Sequence, residues 1–350
     1  MKGSVRGCLL PNHSIHPFRH SEIKKRPVLN RQSYQIRRLA FSQLRRYRDM
    51  TTSTSEAAHV TEANPKPQVN VSAGATPFPV HPPPWRCEAE AYWILFKADK
   101  NLPDFAYAPL ESASPSFSNP EDVGEFIGGL GMIQLLRYSS TPAGPYDEMV
   151  IIPGYFKPPV SKNPSLKKDH IRVTRIYVSQ KETAYNGRRN WNIPKHLAKF
   201  SFTDIPADPT KKTPAQVKIE VFPEHYTKST TPFFTTTVVR AWGWPGLPLS
   251  TTLMPWLGFD LHLVQPPLPT GKDPELVGSD KWIKCLPVAK TNRARVMWFD
   301  MKQALNEDGE DRGEGKEAKT AENFWPGIGR WRLGLWLEKA EFLFVDTEVL

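Results

Sequence analysis

Residues 187–200 carry most of the chemical information in this chain and read Gly187-Arg188-Arg189-Asn190-Trp191-Asn192-Ile193-Pro194-Lys195-His196-Leu197-Ala198-Lys199-Phe200. The segment places Lys195 directly after a proline, in a mostly apolar stretch that runs on into strand-like residues. A lysine amine is a nucleophile only when it is uncharged, and an apolar pocket or a neighbouring cation favours that form. Lys195 is therefore the first candidate for a catalytic residue. The alternative is a structural lysine, either paired with a carboxylate or exposed at a turn.

A second polar segment, residues 138–148, reads Tyr138-Ser139-Ser140-Thr141-Pro142-Ala143-Gly144-Pro145-Tyr146-Asp147-Glu148. Its Gly-Pro pair predicts a turn that leads Tyr146, Asp147 and Glu148 into a strand. Neighbouring residues on a strand point to opposite faces, so one carboxylate is expected to face an interior while the other stays in water. An interior Glu148 facing a lysine could hold substrate, exchange protons or pair with the ammonium group.

Most of the remaining local signals predict strands. The candidates are residues 90–96, 132–137, 149–152, 172–178, 217–222, 233–242, 259–264, 295–300 and 331–344. The 35 prolines argue against long helices, because each removes a backbone donor and fixes φ. The pattern predicts a mainly β protein built as an antiparallel sandwich or barrel. Residues 303–322 are charged and contain three glycines, which predicts a solvated loop.

These two segments resemble the acetoacetate decarboxylase-like superfamily. In that family a Gly-Arg start leads to a Pro-Lys, and the lysine forms a Schiff base with a keto substrate. The spacing Gly144-x-Tyr146-x-Glu148 also resembles the family, as does the entry segment 84–92, and the resemblance runs patchily from about residue 82 to the end. It implies a closed, cone-shaped antiparallel β-barrel with little helix, a lysine in an interior cavity, and no cofactor.

The chain departs from the family at three places. The decarboxylases carry an arginine in the first strand, which aligns near Glu90, whereas Arg86 is out of register. Their second acid falls near Ile133 or Gln134, and their second lysine is replaced by His196. A histidine favours a neutral neighbouring amine only when it is protonated, which is the minority form near neutral pH. Acetoacetate is therefore not the expected substrate.

Four further residues are candidates for substrate binding, namely Arg188, Tyr146, His196 and Trp191. Each has a structural alternative. Arg188 can brace the lysine loop through backbone carbonyls, Tyr146 can pack in the core, and Trp191 can pack against the same loop. If the segment is a strand, His196 points away from Lys195. The tryptophans at 242, 244, 256, 282, 298, 325, 331 and 336 are expected mainly in the core, with a few lining a cavity.

The positive charge of the chain is concentrated at its start. Residues 1–49 hold twelve Lys or Arg and two acids, whereas the remainder holds 34 bases and 34 acids. A neutral body argues against nucleic-acid binding. Residues 1–49 are interpreted as a basic leader with three alternative explanations. It is a spurious upstream start, with the protein beginning at Met50, or a mitochondrial transit peptide, or a functional basic arm. Residues 50–84 are predicted to be a disordered linker, and residues 85–350 the β domain.

The resemblance implies a cofactor-free enzyme. No metal site is expected, since Cys8, Cys87 and Cys285 lack metal-ligand spacing. The expected activity is that of a Schiff-base lyase (a decarboxylase, retro-aldolase or dehydratase) acting on a keto acid or other carbonyl compound, in secondary metabolism. Lys195 and Glu148 would be its catalytic residues. The alternative is a non-catalytic protein that binds a small apolar ligand. No membrane span is expected. The predicted compartment is the cytoplasm, or the mitochondrion if the leader is a transit peptide. The sequence does not decide whether the protein forms a homo-oligomer.

Overall fold

The computed structural model of the protein describes residues 76–102, 106–159, 166, 168–208, 210, 215–225, 231–240, 245–302 and 331–350. The basic leader 1–49, the larger part of the linker 50–84 and the charged stretch 303–322 lie outside the described residues. So do Cys8 and the tryptophans at 242, 244 and 325. The predictions made for these parts of the chain remain predictions.

Strands make up most of the described structure. In chain order they are β1 (Trp85–Ala98), β2 (Phe126–Ser140), β3 (Tyr146–Ile152), β4 (Tyr155–Phe156), β5 (His170–Ile171), β6 (Arg175–Val178), β7 (Lys195–Ile205), β8 (Gln216–Pro223), β9 (Phe234–Arg240), β10 (Leu247–Ser250), β11 (Leu263–Gln265), β12 (Ile283–Cys285), β13 (Val288–Asp300), β14 (Trp331–Phe344) and β15 (Glu348–Val349). The described helices are α1 (Pro109–Ser112), α2 (Pro115–Ser118), α3 (Pro120–Val123), α4 (Lys181–Trp191) and a 3₁₀ helix (Thr251–Leu257).

Nine of these strands form a closed barrel. Their order is β1-β14-β13-β9-β8-β7-β6-β3-β2, and pairing of β2 with β1 completes the ring. Every neighbouring pair is antiparallel except β6 and β7, which run parallel. Parallel neighbours need a crossover connection, and helix α4 supplies it between β6 and β7. The prediction of a mainly β protein with a closed barrel is confirmed, with this one parallel pair as the exception.

Alternate residues of the barrel strands pack into two different hydrophobic clusters. On β3, Met149 belongs to one cluster and Val150 to the other. The cluster that contains Val150 also contains Trp85 and Ile176, and these residues line an internal cavity. The period-2 alternation of a strand thus gives the sheet one face toward the cavity and one toward the second cluster.

Helix α4 corrects the interpretation of the segment around Arg188 and Trp191 as a loop. The structure places residues 181–191 in a helix, and Asn192, in the left-handed conformation at φ 49°, ends it. Gly187 lies inside the helix, where glycine is unfavourable by about 1 kcal/mol relative to alanine, so local propensity hid the helix.

Two predicted strands are also shorter than expected. Residues 172–178 contribute only β6 after the end of β5, and residues 259–264 contribute only the start of β11. No helix in the described ranges has the length and apolar character needed to cross a membrane.

Candidate active site

Lys195 is the first residue of β7 and its amine is enclosed by the barrel. The residue is 5% exposed. Its Nζ lies 2.8 Å from Oε2 of Glu148, donates to Oγ1 of Thr183 at 3.2 Å, and donates to the hydroxyl of Tyr146 at 3.4 Å. The structure therefore brings the two predicted catalytic residues into direct contact, although β6 lies between their strands.

Glu148 reaches this point because the predicted turn and strand alternation hold. Gly144 adopts φ 87° in the turn before β3, and Glu148 is buried while Asp147 is partly exposed on the other side of the strand. The two oxygens of Glu148 also accept hydrogen bonds from two phenols, at 3.3 Å from Tyr138 and at 3.5 Å from Tyr146. The carboxylate thus has the ammonium group and both phenols as donors.

The two tyrosines are a cross-strand pair, directly opposite each other on β2 and β3, with ring centroids 4.6 Å apart. Burial, and after it the charge of Glu148, raises the pKa of both Tyr138 and Tyr146 well above the ordinary value of a phenol. Both hydroxyls therefore stay protonated and act as donors toward Glu148. The neutral hydroxyls of Tyr138 and Tyr146 thereby stabilise the negative charge of the Glu148 carboxylate by hydrogen bonding.

Cys87 of β1 is a further buried group near the ion pair. Burial raises the pKa of its thiol to about 12, Lys195 acts in the opposite direction, and Glu148 adds to the rise. The thiol is therefore neutral at physiological pH and is a poor nucleophile. Of these two side chains, Lys195 is therefore the better candidate for a nucleophile.

An apolar cavity of about 360 Å³ opens beside the ion pair. Aromatic walls come from Trp85, Trp93 and Trp191. Aliphatic residues of the barrel strands β1, β2, β3, β6, β13 and β14 contribute to the rest of the lining. Lys195 and Glu148 are the only Lys, Arg, His, Asp or Glu side chains among the described lining residues. The volume lies within the range of small-molecule sites.

Comparison with solved structures identifies the fold. Acetoacetate decarboxylase from Legionella pneumophila aligns with a TM-score of 0.50 at 12% sequence identity, over 83% of this chain and 98% of that chain. The protein has the acetoacetate decarboxylase-like fold. At this identity the likeness concerns the fold alone. None of the protein-family models matches the chain.

Two plant proteins are similar to part of the chain. The protein NEOXANTHIN-DEFICIENT 1 of Oryza sativa subsp. japonica is 31% identical over 126 residues, and that of Arabidopsis thaliana is 30% identical over 131 residues. The match covers 36% of the rice protein and 40% of the Arabidopsis protein, and 36% and 37% of this chain. The chain therefore spans well under half the length of these relatives.

Within the acetoacetate decarboxylase-like fold, Arg188 and His196 are turned toward Glu111 of α1. Arg188 is fully buried, pairs with Glu111 at 2.9 Å, and donates to the carbonyl oxygens of Val277 and Pro269. His196 Nε2 lies 2.7 Å from the other carboxylate oxygen of Glu111. The described lining of the cavity includes neither Arg188 nor His196. Their geometry supports a bracing role, and it does not support the predicted role in substrate binding.

The other two predicted binding residues, Tyr146 and Trp191, do line the cavity. Trp191 packs edge-on against Trp85, with centroids 5.2 Å apart, and its indole nitrogen donates to the carbonyl of Val345. Trp191 is the last residue of α4, so it belongs to a helix rather than to the expected loop. The cavity tryptophans are Trp85, Trp93 and Trp191. The described tryptophans after residue 240 are absent from the lining, and of these Trp282 is buried whereas Trp256, Trp298 and Trp331 are exposed.

The structure shows where the residues lie at which the chain departs from the decarboxylase pattern. Of the two positions that the resemblance offered for a second acid, Gln134 of β2 lines the cavity, whereas Ile133 is buried in the second hydrophobic cluster. Arg86 is exposed and absent from the described lining. No other described residue brings an arginine into the cavity.

Sequence reasoning missed Tyr138, Thr183, Cys87 and Glu111. Tyr138 was within a quoted segment, and its place opposite Tyr146 across the turn was the one signal that could have found it. Cys87 and Glu111 come from distant parts of the chain, and Thr183 lies 12 residues before Lys195. None of the three carries a local signal. Among the described residues, no group of three or more His, Cys, Asp or Glu side chains is arranged to hold a metal ion.

Proposed function

We propose that the protein is a cofactor-free lyase that forms a Schiff base between Lys195 and a carbonyl compound. The observation that carries this proposal is the placement of a buried lysine amine at an apolar cavity, 2.8 Å from the carboxylate of Glu148. Lysines in such surroundings serve as nucleophiles toward carbonyl carbons. The shared fold of an acetoacetate decarboxylase is consistent with this chemistry.

The ion pair supplies the proton transfer that the reaction needs. Transfer of one proton from the ammonium group to Glu148 gives a neutral amine and a carboxylic acid. The amine adds to the carbonyl carbon, the carbonyl oxygen takes the proton from Glu148, and loss of water leaves a protonated iminium. Ketone and ammonium thereby become iminium and water, and the positive charge again faces the Glu148 carboxylate.

The iminium then accepts the electron pair of a bond next to the former carbonyl carbon. In a retro-aldol step the bond between the α and β carbons breaks, the β-hydroxyl loses its proton, and an aldehyde leaves. In a dehydration an α proton is removed and the β-hydroxyl departs as water. Protonation of the enamine or extended imine and addition of water release the product and restore Lys195.

A role in secondary metabolism is part of the proposal. It is motivated by the partial similarity to the two plant proteins, whose name refers to a deficiency in neoxanthin. The match covers too little of either chain to transfer an activity.

A non-catalytic binding protein is the second candidate. The ion pair favours this candidate, because the charges of Lys195 and Glu148 already neutralise each other. The two phenols donate further hydrogen bonds to the Glu148 carboxylate. Such a protein would hold an apolar ligand in the cavity without forming a covalent bond.

Reductive trapping separates the two candidates. The full chain is incubated with a panel of ketones, aldehydes and keto acids, reduced with borohydride, and mapped by peptide mass spectrometry. The lyase predicts an adduct on Lys195 that disappears in Lys195→Met and persists in Lys199→Met, since Lys199 is exposed on the same strand. An adduct-free Lys195 with every compound in the panel, together with tight ligand binding, would favour the binding protein.

A further inference from the structure

We infer that the substrate is a neutral, predominantly apolar ketone or aldehyde that carries no carboxylate near its carbonyl group. This inference rests on the proposed Schiff-base function and narrows it to one substrate class. It excludes short keto acids as the natural substrate, and with them a simple β-keto acid decarboxylation.

The charge of the cavity is the first argument. Among the described lining residues, Lys195 is the one cation, and it is already paired with Glu148. Once the iminium forms, its positive charge occupies the same place opposite the same carboxylate. A substrate carboxylate would therefore enter an apolar space without a cation to receive it, and close to a second negative charge. Burying an unpaired charge is strongly unfavourable.

The polar groups of the lining support the same conclusion. Apart from the ion pair, the two phenols and the indole N–H groups of the three tryptophans, the described lining offers the amide of Gln134 and the hydroxyl of Thr251. These are neutral groups that suit a hydroxyl or a second keto oxygen. Neither provides the charge-assisted hydrogen bonds that a buried carboxylate requires.

The mouth of the cavity is apolar as well. Leu95, Leu130 and Phe259 line the cavity and are also 36%, 47% and 40% exposed, so they lie where the cavity meets solvent. The 3₁₀ helix continues this surface, since it contributes Met254 to the lining and exposes Leu253. An aliphatic or aromatic tail that extends from the reacting carbonyl would therefore remain in contact with apolar side chains up to the surface.

Three compounds of equal chain length test the inference, namely 4-decanone, 4-oxodecanoic acid and its methyl ester. The carboxylate of the acid lies so close to the carbonyl that it must enter the cavity with it, and the ester separates bulk from charge. The rate of borohydride trapping at Lys195 and the quenching of the cavity tryptophans are measured for each. We expect the ketone and the ester to be trapped at least ~100-fold faster than the acid, given the cost of an unpaired buried charge.

A charge added to the lining provides the matched variant. Gln134→Arg adds a cation to the cavity lining and is expected to raise trapping of the acid at least about tenfold relative to Gln134→Met, which has no charge. Thermal melting shows whether either variant is folded. If Gln134→Arg does not fold, the comparison of the three compounds in the unaltered protein still decides the question.

The outcomes distinguish failure of this inference from failure of the proposed function. Trapping of the acid on Lys195 as fast as the ketone overturns the substrate class and leaves the Schiff-base chemistry standing. Absence of any adduct, with quenching by the ketone and the ester and none by the acid, overturns the chemistry and supports the same class as ligand. Equal quenching by all three compounds without adducts overturns both.

Discussion

A Cβ atom at position 187 would lie 2.5 Å from Cδ of Lys195, closer than two carbon atoms can approach. Gly187 of α4 therefore leaves the space through which the lysine stem passes toward Glu148. The glycine has an ordinary helical place and no positive φ, so close packing rather than backbone conformation explains it. This contact joins the helix that crosses from β6 to β7 with the residue that begins β7.

Gly187→Ala is expected to displace the Lys195 amine and to lower trapping by at least ~10-fold, because small misplacements of a reacting group are costly. Overpacking costs about 1–3 kcal/mol, partly offset by the higher helix propensity of alanine. Arg189→Ala, on the exposed side of α4, is the control and should leave trapping unchanged. In a Lys195→Ala background the penalty on melting temperature should shrink, and an unchanged penalty would mean that the clash lies elsewhere.

Glu148→Gln is expected to leave the ammonium group without its carboxylate and to lower stability by about 3–5 kcal/mol. Turnover of any accepted substrate should fall by at least ~100-fold, because Glu148 receives and returns the proton. Asp147→Asn is the matched control, since Asp147 lies next in sequence and on the other side of β3. Denaturant unfolding and single-turnover kinetics provide the two measurements.

The double variant Glu148→Gln/Lys195→Met tests the energetics of the same pair. It removes both charges, so it should be more stable than Glu148→Gln alone. If the double variant is the less stable of the two, the penalty of an unpaired ammonium is not what destabilises the single variant.

The Glu111 cluster predicts a pH dependence of stability. Burial acts to raise the pKa of Glu111, but the hydrogen bond and charge of His196, together with Arg188, outweigh it and hold the pKa below its ordinary value of 4.5. A carboxyl group with a lowered pKa in the folded state stabilises the fold at pH values above 4.5, and this contribution is lost as the pH falls through the folded-state value.

Glu111→Gln should therefore lower the free energy of unfolding at pH 7 and flatten its decline below about pH 4.5. Denaturant unfolding at a series of pH values between 7 and 3 measures both effects. Glu121→Gln on α3 is the control, because Glu121 is exposed. If the free energy of unfolding of Glu111→Gln falls with decreasing pH as steeply as that of the unaltered protein, Glu111 does not cause the loss of stability in acid.

Cys87 is expected to resist alkylation in the folded protein. Burial raises the pKa of its thiol to about 12, so almost no thiolate exists at pH 8, and the side chain is also inaccessible. Iodoacetamide at pH 8, followed by peptide mapping, should leave Cys87 unlabelled in buffer and labelled in urea. Rapid labelling in buffer would show that the interior beside Lys195 opens to solvent. Cys285, whose pKa burial also raises to about 12, should behave in the same way.

The local features of the site followed from the sequence. Strand period placed Glu148 inside and Asp147 outside, because adjacent side chains must point to opposite faces. The Gly-Pro pair located the turn before β3, and the run around Pro194 singled out Lys195. The mainly β character followed from the many short strands, and the closed barrel was expected from the family resemblance. Each of these inferences needed only residues that are close together in the chain.

Tertiary structure alone decided what surrounds the amine. Thr183 reaches Lys195 through the crossover helix, and local propensity hid that helix because Gly187, unfavourable by itself, is required only by its contact with the lysine stem. The turning of Arg188 and His196 toward Glu111 depends on α1, more than seventy residues earlier in the chain. Such distant contacts decide whether a charged residue binds substrate or stabilises the barrel, and they leave no periodic signal in the sequence.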